Sequence, residues 1–310
     1  MTDMDFVKQA ETGRLVSPKT RERLFYDEDS SKLITQDKTE SYSVLNGKVP
    51  VMVIDPEWAG EYADSSRQMV NEYMPENCLK IFLRKCVESL REKDFRSVAS
   101  IEAFNSIFEG DDDDRLFLSV GGGPQRPHPA LVNLNIGPFP NVDIIADAHQ
   151  LPYGDESVDA IYCEAVLEHL QEPKNAIAEM WRVLKPEGRV YAITPFLQAY
   201  HGYPYHFQNY TLTGHTYAFE SLGFDIVASG PCVGPMNAVV GVISTFMKEY
   251  LPKIIGVPLR FIWEMVGLMV LKPFDKLLLK RPNAYVLAST TYLLARKKPV
   301  VETDKPLEKA

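Results

Sequence analysis

A short apolar run that ends in three glycines constrains this chain more than any other feature. Residues 116–120 read Leu-Phe-Leu-Ser-Val, and Gly121, Gly122 and Gly123 follow. A strand that ends in glycines brings its backbone N–H groups close to a ligand, because no side chain stands in the way. The pattern therefore predicts a buried strand that leads directly into a binding loop.

Further apolar runs follow at regular intervals and are typical of buried parallel strands. They cover residues 131–136, 142–148, 158–163 and 189–194, with a helical pattern over residues 174–184. Strands that alternate with helices predict a doubly wound α/β sheet, which binds ligands at the carboxyl ends of its strands. We therefore expect a nucleotide-type cofactor site at that edge.

The glycine spacing disfavours two common phosphate-binding loops. A P-loop needs a Lys-Ser or Lys-Thr pair after its glycines, and none is present. A dinucleotide fingerprint needs a third glycine where Arg126 stands, and the prolines at 124, 127 and 129 discourage the helix that it opens. The cofactor has to be identified from the segments that follow.

Six segments together resemble the class I S-adenosylmethionine-dependent methyltransferases, in the order and at the spacing of that family. They are Ser-Val-Gly-Gly-Gly (119–123), Val-Asn-Leu-Asn-Ile (132–136), Ala-Asp-Ala-His-Gln-Leu-Pro (146–152), Val-Asp-Ala (158–160), Ala-Val-Leu-Glu-His-Leu (165–170) and Trp-Arg-Val-Leu-Lys-Pro-Glu-Gly (181–188). The resemblance runs from Gly121 to about Lys298 and is closest to the type 11 branch, in which the next strand follows a short glycine loop. It implies a Rossmann-like, seven-stranded, mostly parallel sheet.

The resemblance also implies which residues bind S-adenosylmethionine. The glycine loop, Gly121 to Gly123, passes under the methionine part, Asn135 lies at the ribose, and Asp147 with Ala148 lies at the adenine. Glu164, which ends the fourth strand, is counted with these cofactor residues. The family usually has an acidic residue where Asn135 stands, and commonly one where Ser119 stands. Both changes remove a charge that strengthens hydrogen bonds, so we expect weakened cofactor binding.

The composition is that expected of a cytoplasmic enzyme. The net charge is −9 and no basic block is present, which argues against a sequence-independent grip on nucleic acid. The four cysteines lack metal-binding spacing, and no metal site is predicted. The acidic first residues lack the apolar core of a signal peptide, which predicts a cytoplasmic location.

Residues 1–55 are predicted to form a separate, small, β-rich domain. They resemble the zinc-ribbon domain known as an activator of tRNA and protein methyltransferases. Where that pattern has two Cys-x-x-Cys pairs, this chain has Ser17, Thr20, Thr35 and Lys38, which are poor zinc ligands or none, so a metal-free copy is expected. It is expected to act as a scaffold or to cover one edge of the catalytic domain.

Residues 56–115 are predicted to be a helical linker or cover, with the clearest helix over residues 77–92. Such a segment suits a cover over the cofactor pocket, and packing on the domain explains it equally well. The four acids at 111–114 are interpreted as a solvated loop. Residues 301–310 are predicted to be a disordered tail.

The loop after the fifth strand, residues 194–211, is the predicted acceptor site because it holds two histidines, four tyrosines and no charged residue. His206, and after it His201, is the candidate base that deprotonates an acceptor hydroxyl. Tyr203, Tyr205 and Tyr210 are the candidate acceptor-binding residues. A structural aromatic cap is the alternative for this loop. His169 is a further candidate base, although the resemblance favours a packing role.

An apolar insertion separates the sixth strand (224–228) from the seventh (285–294) and covers residues 230–283. Arg260, Glu264 and Pro252 interrupt its apolar runs, which disfavours a transmembrane span. A helical lid or a homodimer contact is favoured, and a peripheral membrane contact through residues 236–281 stays open.

The sequence thus predicts a class I methyltransferase domain over residues 116–300. Its expected reaction is O-methylation of a small molecule, with a sugar or natural-product hydroxyl as the acceptor. A catalytically inactive partner or regulatory protein is one alternative, and a methyltransferase that acts on tRNA or protein is another. Membrane association remains an alternative to a purely cytoplasmic location.

Overall fold

A single twisted sheet of eleven strands organises the molecule. The computed structural model describes residues 5–54, 95–110, 114–202 and 205–298. The strands are β1 (Leu24–Asp27), β2 (Lys32–Thr35), β3 (Ser41–Leu45), β4 (Val49–Met52), β5 (Phe117–Val120), β6 (Leu131–Asn135), β7 (Ile144–Ala146), β8 (Val158–Glu164), β9 (Leu184–Pro195), β10 (Phe224–Val233) and β11 (Thr290–Lys297). Their order is β1-β2-β3-β4-β7-β6-β5-β8-β9-β11-β10.

The seven strands from β5 onward form the core of the sheet. β7, β6, β5, β8 and β9 pair in parallel, whereas β11 runs antiparallel between β9 and β10. The central strands are buried almost throughout, as expected of parallel strands covered on both faces. The predicted mixed α/β class with a mostly parallel sheet is confirmed.

Four helices pack on this sheet or on its N-terminal extension. They are α1 (Phe6–Glu11), α2 (Val98–Ser106), α3 (Pro173–Val183) and α4 (Leu212–Glu220). The predicted helix over 174–184 is α3, which begins with a proline and buries residues at three- and four-residue spacing: Ala176, Ile177, Met180 and Val183. The side chain of Ser97 caps α2, and that of Thr211 caps α4. The predicted helix over 77–92 lies outside the described residues, as do the acids at 111–113.

The crossover from β5 to β6 has no helix. Residues 121–130 form turns and bends, as the prolines at 124, 127 and 129 predict. The Gly121 N–H donates a hydrogen bond to the Leu134 carbonyl oxygen at 2.8 Å, which draws the start of the loop onto the neighbouring strand. The glycine loop therefore stays at the sheet edge instead of rising into a helix.

The N-terminal strands continue the sheet beyond β7. β4 pairs with β7 in parallel, with Val51 opposite Ile145, while β1 to β4 form antiparallel hairpins. This unit therefore covers the β7 edge. Ser17, Thr20, Thr35 and Lys38, which the sequence predicts to stand at the ligand positions of a ribbon, lie in two turns joined by polar contacts. Ser17 and Thr20 bind the Glu40 carboxylate, and Thr35 binds Asp37 and the Glu40 N–H. Arg21 and Lys38, at the ends of these turns, both have positive φ.

The insertion between β10 and β11 is helical. It contains α5 (Pro235–Tyr250), α6 (Lys253–Val266), a π-helical segment (Gly267–Leu271), a 3₁₀ turn (Lys272–Phe274), α7 (Asp275–Leu278) and a last 3₁₀ turn (Ala284–Leu287). The Asp275 carboxylate accepts hydrogen bonds from the N–H groups of Met236 and Asn237, at 2.9 and 3.0 Å. The end of the insertion thus caps its own first helix.

The strands that flank the insertion differ from the predicted ones. β10 continues to Val233 instead of ending at residue 228, because β11 offers it partners to that point. The last strand begins at Thr290 and not at Tyr285, which lies in a 3₁₀ turn. Thr290 pairs with Pro195, where β9 ends, so residues before Thr290 have no strand of the core to pair with.

The buried histidine of α4 makes folding stability depend on pH. Burial lowers the pKa of His215 to about 3, against an ordinary value of 6.5. Between these values the unfolded chain binds a proton that the folded chain does not, so the free energy of unfolding decreases as the pH falls through this window. We expect His215→Gln to give a shallower dependence of Tm on pH in this window, measured by thermal unfolding at a series of pH values.

Thr291→Val is the matched control. It removes the contact of 3.2 Å between the Thr291 hydroxyl and His215 Nδ1 but leaves the imidazole buried. It should lower Tm at every pH and keep the pH slope. An unchanged slope in His215→Gln would contradict the assignment of this slope to His215.

Candidate functional site

The candidate cofactor residues meet at the carboxyl edge of the parallel strands. The glycine loop follows β5, Asn135 ends β6, and Asp147 with Ala148 follows β7. These strands are neighbours in the sheet, so their ends lie side by side. This is the edge at which open α/β sheets bind their ligands.

The glycine loop is shaped by close contacts that only glycine allows. A Cβ on Gly122 would lie 2.2 Å from Asn133 Oδ1 and 2.4 Å from Ser119 Oγ. A Cβ on Gly121, where φ is +74°, would lie 2.2 Å from a methyl carbon of Val166. At Gly123 a Cβ would meet nothing within 4 Å, so this side of the loop is open to a ligand.

Asn133 ties the loop to the chain that follows it. Its amide nitrogen donates to the carbonyl oxygens of Gly123 and Asn141, at 3.0 and 2.9 Å. Its Oδ1 and the Ser119 hydroxyl are buried without a hydrogen-bond partner, and both face the Cα of Gly122. The missing side chain of Gly122 is therefore what lets the loop lie down on the strands.

The other candidate cofactor residues hold their own turns. Asn135 Oδ1 accepts a hydrogen bond from the Gly137 N–H at 3.0 Å, so its amide nitrogen is the better group for a ribose hydroxyl. Asp147 Oδ1 accepts the His149 N–H at 2.9 Å and lies 2.8 Å from His149 Nδ1. Ala148 is nearly buried and offers a small apolar surface. The residues present fit the cofactor that the sequence implies: an open backbone loop, an amide and a carboxylate at one edge.

A cavity of 160 Å³ lies beside this edge, between the ends of β8 and β9 and the start of the insertion. Its lining is polar and apolar in about equal parts and comes from five parts of the chain: Arg96, Glu164, Ala165, Glu168, Ile193, Thr194, Pro195, Gln198, Val233, Asn237, Ser289 and Thr290. Because Val166 packs on Gly121, the turn that borders the cavity also borders the glycine loop.

Glu164 is part of a charged network in this wall. Arg96 donates to Glu164 Oε1 at 2.6 Å, and the Tyr162 hydroxyl donates to the other oxygen. Burial opposes the charge of Arg96, but the Glu164 carboxylate outweighs it and raises the pKa of Arg96. Burial, and then the same carboxylate, raises the pKa of Tyr162. Glu164 is thus held by protein partners at the boundary between the cavity and the loop.

Glu168 is fully buried at 0% exposure, and neither of its carboxylate oxygens has a hydrogen-bond partner. Its Oε1 lies 3.8 Å from His169 Nε2 and 3.9 Å from His201 Nε2. We call these three residues the Glu168 cluster. A buried carboxylate is costly unless it is paired, so this arrangement indicates a function.

Hydrogen bonds fix the tautomers of both histidines. His169 Nδ1 lies 2.7 Å from the Tyr205 carbonyl oxygen, and His201 Nδ1 lies 2.9 Å from that of Ala199. A carbonyl can only accept, so each Nδ1 carries the hydrogen and each Nε2 holds a lone pair on the side of Glu168. The Glu168 carboxylate raises the pKa of His201, whereas burial lowers that of His169.

The structure separates the two predicted bases. His206 Nδ1 accepts the His201 N–H at 3.2 Å, so its hydrogen lies on Nε2, which donates to Asn209 Oδ1 at 2.7 Å. The imidazole of His206 is thus occupied on both sides, while His201 faces the buried carboxylate. The rings of His201 and His206 lie 4.3 Å apart.

The predicted tyrosines are scattered around this loop. Tyr205 is exposed at the surface, and Tyr210 packs against the core, where burial raises its pKa to about 12. Tyr203 lies outside the described residues. The cavity takes Thr194, Pro195 and Gln198 from this loop instead.

Of the cavity residues, only Glu164 is a predicted site residue, and the charged or amide side chains that the sequence does not indicate include Arg96, Glu168 and Asn237. Arg96 lies before α2 and Asn237 lies in the insertion, and nothing in their local patterns relates them to β8. Glu168 lies in the segment 165–170, in which the sequence indicates only the neighbouring His169 as a candidate base. A buried acid in an otherwise apolar run, Ala-Val-Leu-Glu, was the available signal.

Comparison with known proteins finds similarity to methyltransferases in part of this chain. Residues 129–192 match the family described as methyltransferase domain. The demethylmenaquinone methyltransferase of Renibacterium salmoninarum is 48% identical over 52 residues, which cover 16% of this chain and 22% of that protein. The ubiquinone/menaquinone biosynthesis C-methyltransferase UbiE of Escherichia fergusonii is 36% identical over 80 residues, or 23% of this chain and 32% of that protein.

The chain thus spans less than a third of the length of these relatives within the matched regions. Among solved structures, the 1,6-didemethyltoxoflavin-N1-methyltransferase of Burkholderia thailandensis is 12% identical, with a TM-score of 0.44 over 85% of this chain and 98% of that one. Residues 129–192 are thus similar to a methyltransferase domain, and the two relatives that match this chain are named as methyltransferases.

The glycine loop gives a direct test of where the cofactor binds. We expect Gly122→Ala to weaken the binding of S-adenosylhomocysteine at least about tenfold (~1.4 kcal/mol), because the new methyl group pushes the loop off Asn133 and Ser119. Isothermal titration calorimetry measures the change.

Gly241→Ala, in α5, is the matched control. Its Cβ would meet nothing within 4 Å, and alanine favours a helix. It should bind the cofactor product as the unchanged protein does. Equal affinity in Gly122→Ala, on a folded sample, would show that the cofactor does not depend on this loop.

Proposed function

We propose that this protein transfers a methyl group from S-adenosylmethionine to a hydroxyl of a small, amphiphilic acceptor at a membrane surface. The observation that carries the proposal is the cavity beside the glycine loop, with the buried carboxylate of Glu168, which has no hydrogen-bond partner, in its wall. A donor site, an acceptor site and a group that can take a proton lie next to one another at the sheet edge.

The chain supplies the positions of both reactants. Gly123 leaves open space beside the loop, Asn135 offers its amide to the ribose, and Asp147 lies where the adenine is expected. S-adenosylmethionine, when bound, supplies a methyl group whose bond to the sulfonium sulfur breaks, with the electron pair left on sulfur, as the acceptor oxygen binds the methyl carbon. The hydroxyl proton is taken up at the Glu168 cluster. Most of the acceleration in such a transfer comes from positioning.

The acceptor group that enters the cavity is small and polar. A volume of 160 Å³ is below the about 300–1,000 Å³ typical of pockets for whole ligands, so only part of an acceptor fits. Thr194, Gln198 and Asn237 offer hydroxyl and amide groups that suit a hydroxylated head group. The rest of the acceptor lies outside the cavity, along the insertion from which Asn237 comes.

The insertion presents a large apolar surface. Many of its apolar side chains are exposed: Ile254 is 86% exposed and Phe261 is 65% exposed. The exposed apolar surface also includes Val242, Phe246, Tyr250, Ile255, Val257, Leu259, Ile262, Val266, Met269, Val270, Phe274, Leu277, Tyr285, Val286 and Leu287. We call residues 242–287 the apolar face. So many exposed apolar side chains on one insertion indicate a contact with a membrane or a partner.

The form of the insertion favours a helix pair that lies on a membrane over one that crosses it. Residues 253–278 form a helical segment of 26 residues, long and apolar enough to span by length and composition, with 11% of its most apolar part buried. The insertion begins and ends on the sheet, and its tip carries Lys248, Glu249 and Lys253. A crossing would bury these charges, whereas a surface position leaves them at the lipid head groups.

The names of the relatives agree with a small-molecule acceptor, since they place those proteins in menaquinone and ubiquinone biosynthesis. A catalytically inactive, cofactor-binding partner protein is the competing function. Asn135, in the position of an acid, favours it, and the buried carboxylate of Glu168 in the acceptor cavity favours an enzyme.

Methyl transfer is tested with labelled S-adenosylmethionine and a panel of hydroxylated amphiphiles presented in detergent or vesicles. We expect product from at least one acceptor, and a fall in kcat of about 10²–10⁴-fold in Glu168→Gln with the affinity for S-adenosylhomocysteine unchanged. Glu172→Gln, the same change at an exposed site on the same segment, should keep full activity. Cofactor binding without transfer to any acceptor would favour the inactive partner.

Membrane contact is tested by co-sedimentation with vesicles of phosphatidylcholine, with and without phosphatidylglycerol. We expect binding, stronger with the anionic lipid because of Lys248, Lys253 and the other basic residues of the insertion, and a loss of at least about tenfold when Ile254→Asp and Phe261→Asp are combined.

Val98→Asp is the control for this experiment. Val98 is 65% exposed, as Phe261 is, but lies at the start of α2, where an acid stabilises a helix. Its binding to vesicles should not change. A chain that dimerises in solution and ignores vesicles would contradict the membrane contact and favour the homodimer.

A further inference from the structure

The Glu168 cluster has the features of a metal site. Glu168 is fully buried, lines the cavity, and has no hydrogen bond to either oxygen. We propose that Glu168, His169 Nε2 and His201 Nε2 bind one divalent first-row transition-metal ion. The sequence predicted no metal site, because its four cysteines lack metal-binding spacing and a set of Glu168, His169 and His201 is not a spacing pattern.

The distances in the cluster suit a shared ion better than a direct ion pair. A charge-assisted hydrogen bond between imidazole and carboxylate would close to about 2.7–2.9 Å. The separations here are 3.8 and 3.9 Å, and the three ligand atoms all lie within 4.8 Å of one another. Bonds of about 2.0–2.1 Å in a tetrahedral site place ligand atoms about 3.4 Å apart, so a small inward shift completes the site.

The histidines are oriented as metal ligands usually are. A ligating imidazole commonly donates its other N–H to a carbonyl or carboxylate, which fixes the ring and its tautomer. Here the Nδ1 atoms of His169 and His201 pair with the carbonyl oxygens of Tyr205 and Ala199, at 2.7 and 2.9 Å. The lone pairs of both Nε2 atoms are thereby directed to the side of Glu168.

Backbone contacts hold the two halves of the site together. The Phe207 N–H donates to the Glu168 carbonyl oxygen at 2.8 Å, and Gln208 Nε2 donates to that of Leu167 at 3.3 Å. The loop that carries His201 is thus fastened to the 3₁₀ turn Leu167–His169, which carries the other two ligands. The ligand set is assembled before an ion arrives.

Two imidazoles and one carboxylate select the class of ion. Imidazole suits zinc, iron, nickel and copper ions. Calcium and magnesium prefer ligand sets made of oxygen atoms alone, which two imidazoles and one carboxylate do not supply. A catalytic zinc site has three protein ligands and one open coordination position. Because Glu168 lines the cavity, an ion bound to it would have its open position beside the cavity. Zn²⁺ is therefore the first ion to test.

A bound ion would give the cavity a defined way to activate an acceptor. With an ion bound, the cluster would hold the ion and would not take up the proton itself. The ion would bind the acceptor oxygen and lower the pKa of its hydroxyl, whose proton would then pass to water. This use of the ion rests on the proposed function, whereas the binding of the ion does not. Metal binding and methyl transfer can therefore fail separately.

The test is calorimetric titration of the full chain with Zn²⁺, after treatment with a chelator and removal of any histidine tag. We expect one ion per chain, and an affinity lower by about 100-fold or more in Glu168→Gln and in His201→Asn, because the loss of even a residue that supports a ligand costs about 10–100-fold. Co²⁺ in place of Zn²⁺ should give visible absorption bands that both variants lose.

His128→Asn and Glu172→Gln are the matched controls, since they make similar changes at residues outside the cluster. Both should bind Zn²⁺ as the unchanged chain does. His201→Asn lies on a partly exposed loop, so it keeps the test valid if Glu168→Gln does not fold, which circular dichroism shows. Absence of binding to the folded chain, or binding that survives both cluster variants, would overturn the proposal.

The same samples separate this proposal from the proposed function. S-adenosylhomocysteine affinity and methyl transfer are measured with and without Zn²⁺. Methyl transfer without any bound ion would support the proposed function and show that the metal ion takes no part in the reaction. Zinc binding by the cluster in a chain that transfers no methyl group would support the metal site and contradict the enzyme.

Discussion

The packing of Val166 on Gly121 is the contact on which the whole site depends. It joins the loop after β5 to the turn after β8, where Ala165 has a φ of +55° and its N–H bonds the Ile193 carbonyl oxygen. That turn then carries Glu164 toward Arg96 and Glu168 toward the two histidines. The donor side and the acceptor side are therefore two faces of one short segment, and neither can move without the other.

Much of the fold could be predicted from the sequence, because buried parallel strands are continuous apolar runs and prolines mark where helices cannot form. The cofactor edge followed from the ends of those strands. The acceptor cavity could not be found in this way: Arg96, Glu168 and Asn237 are far apart in the chain, and only the folded sheet brings them together. The loop rich in tyrosine and histidine indicated His201 and His206 alike. The two differ in the tautomers that their hydrogen bonds fix, which the sequence does not show.

The insertion illustrates a second limit of sequence patterns. Its apolar runs are visible in the chain, but a buried lid and an exposed docking surface have the same composition. Exposure decides between them, because Gly256 is the one buried residue among the described positions of α6, while Ile254 and Phe261 face outward. The Asp275 carboxylate, near the end of the insertion, caps the first helix of the insertion, α5. These hydrogen bonds indicate that the insertion folds as a unit with its apolar side chains exposed.

The pairing of β4 with β7 has a consequence for how the chain assembles. Val51 is synthesised early, whereas its partner Ile145 comes much later in the chain, after the core strands β5 and β6. The free edge of β4 therefore has no partner strand until the core strands have been synthesised. Pairing between strands so far apart in the chain also slows folding. A fragment that begins at β5 would lack β4, so the short strand β7 would become an unpaired edge strand. Such an edge can pair with strands of other chains.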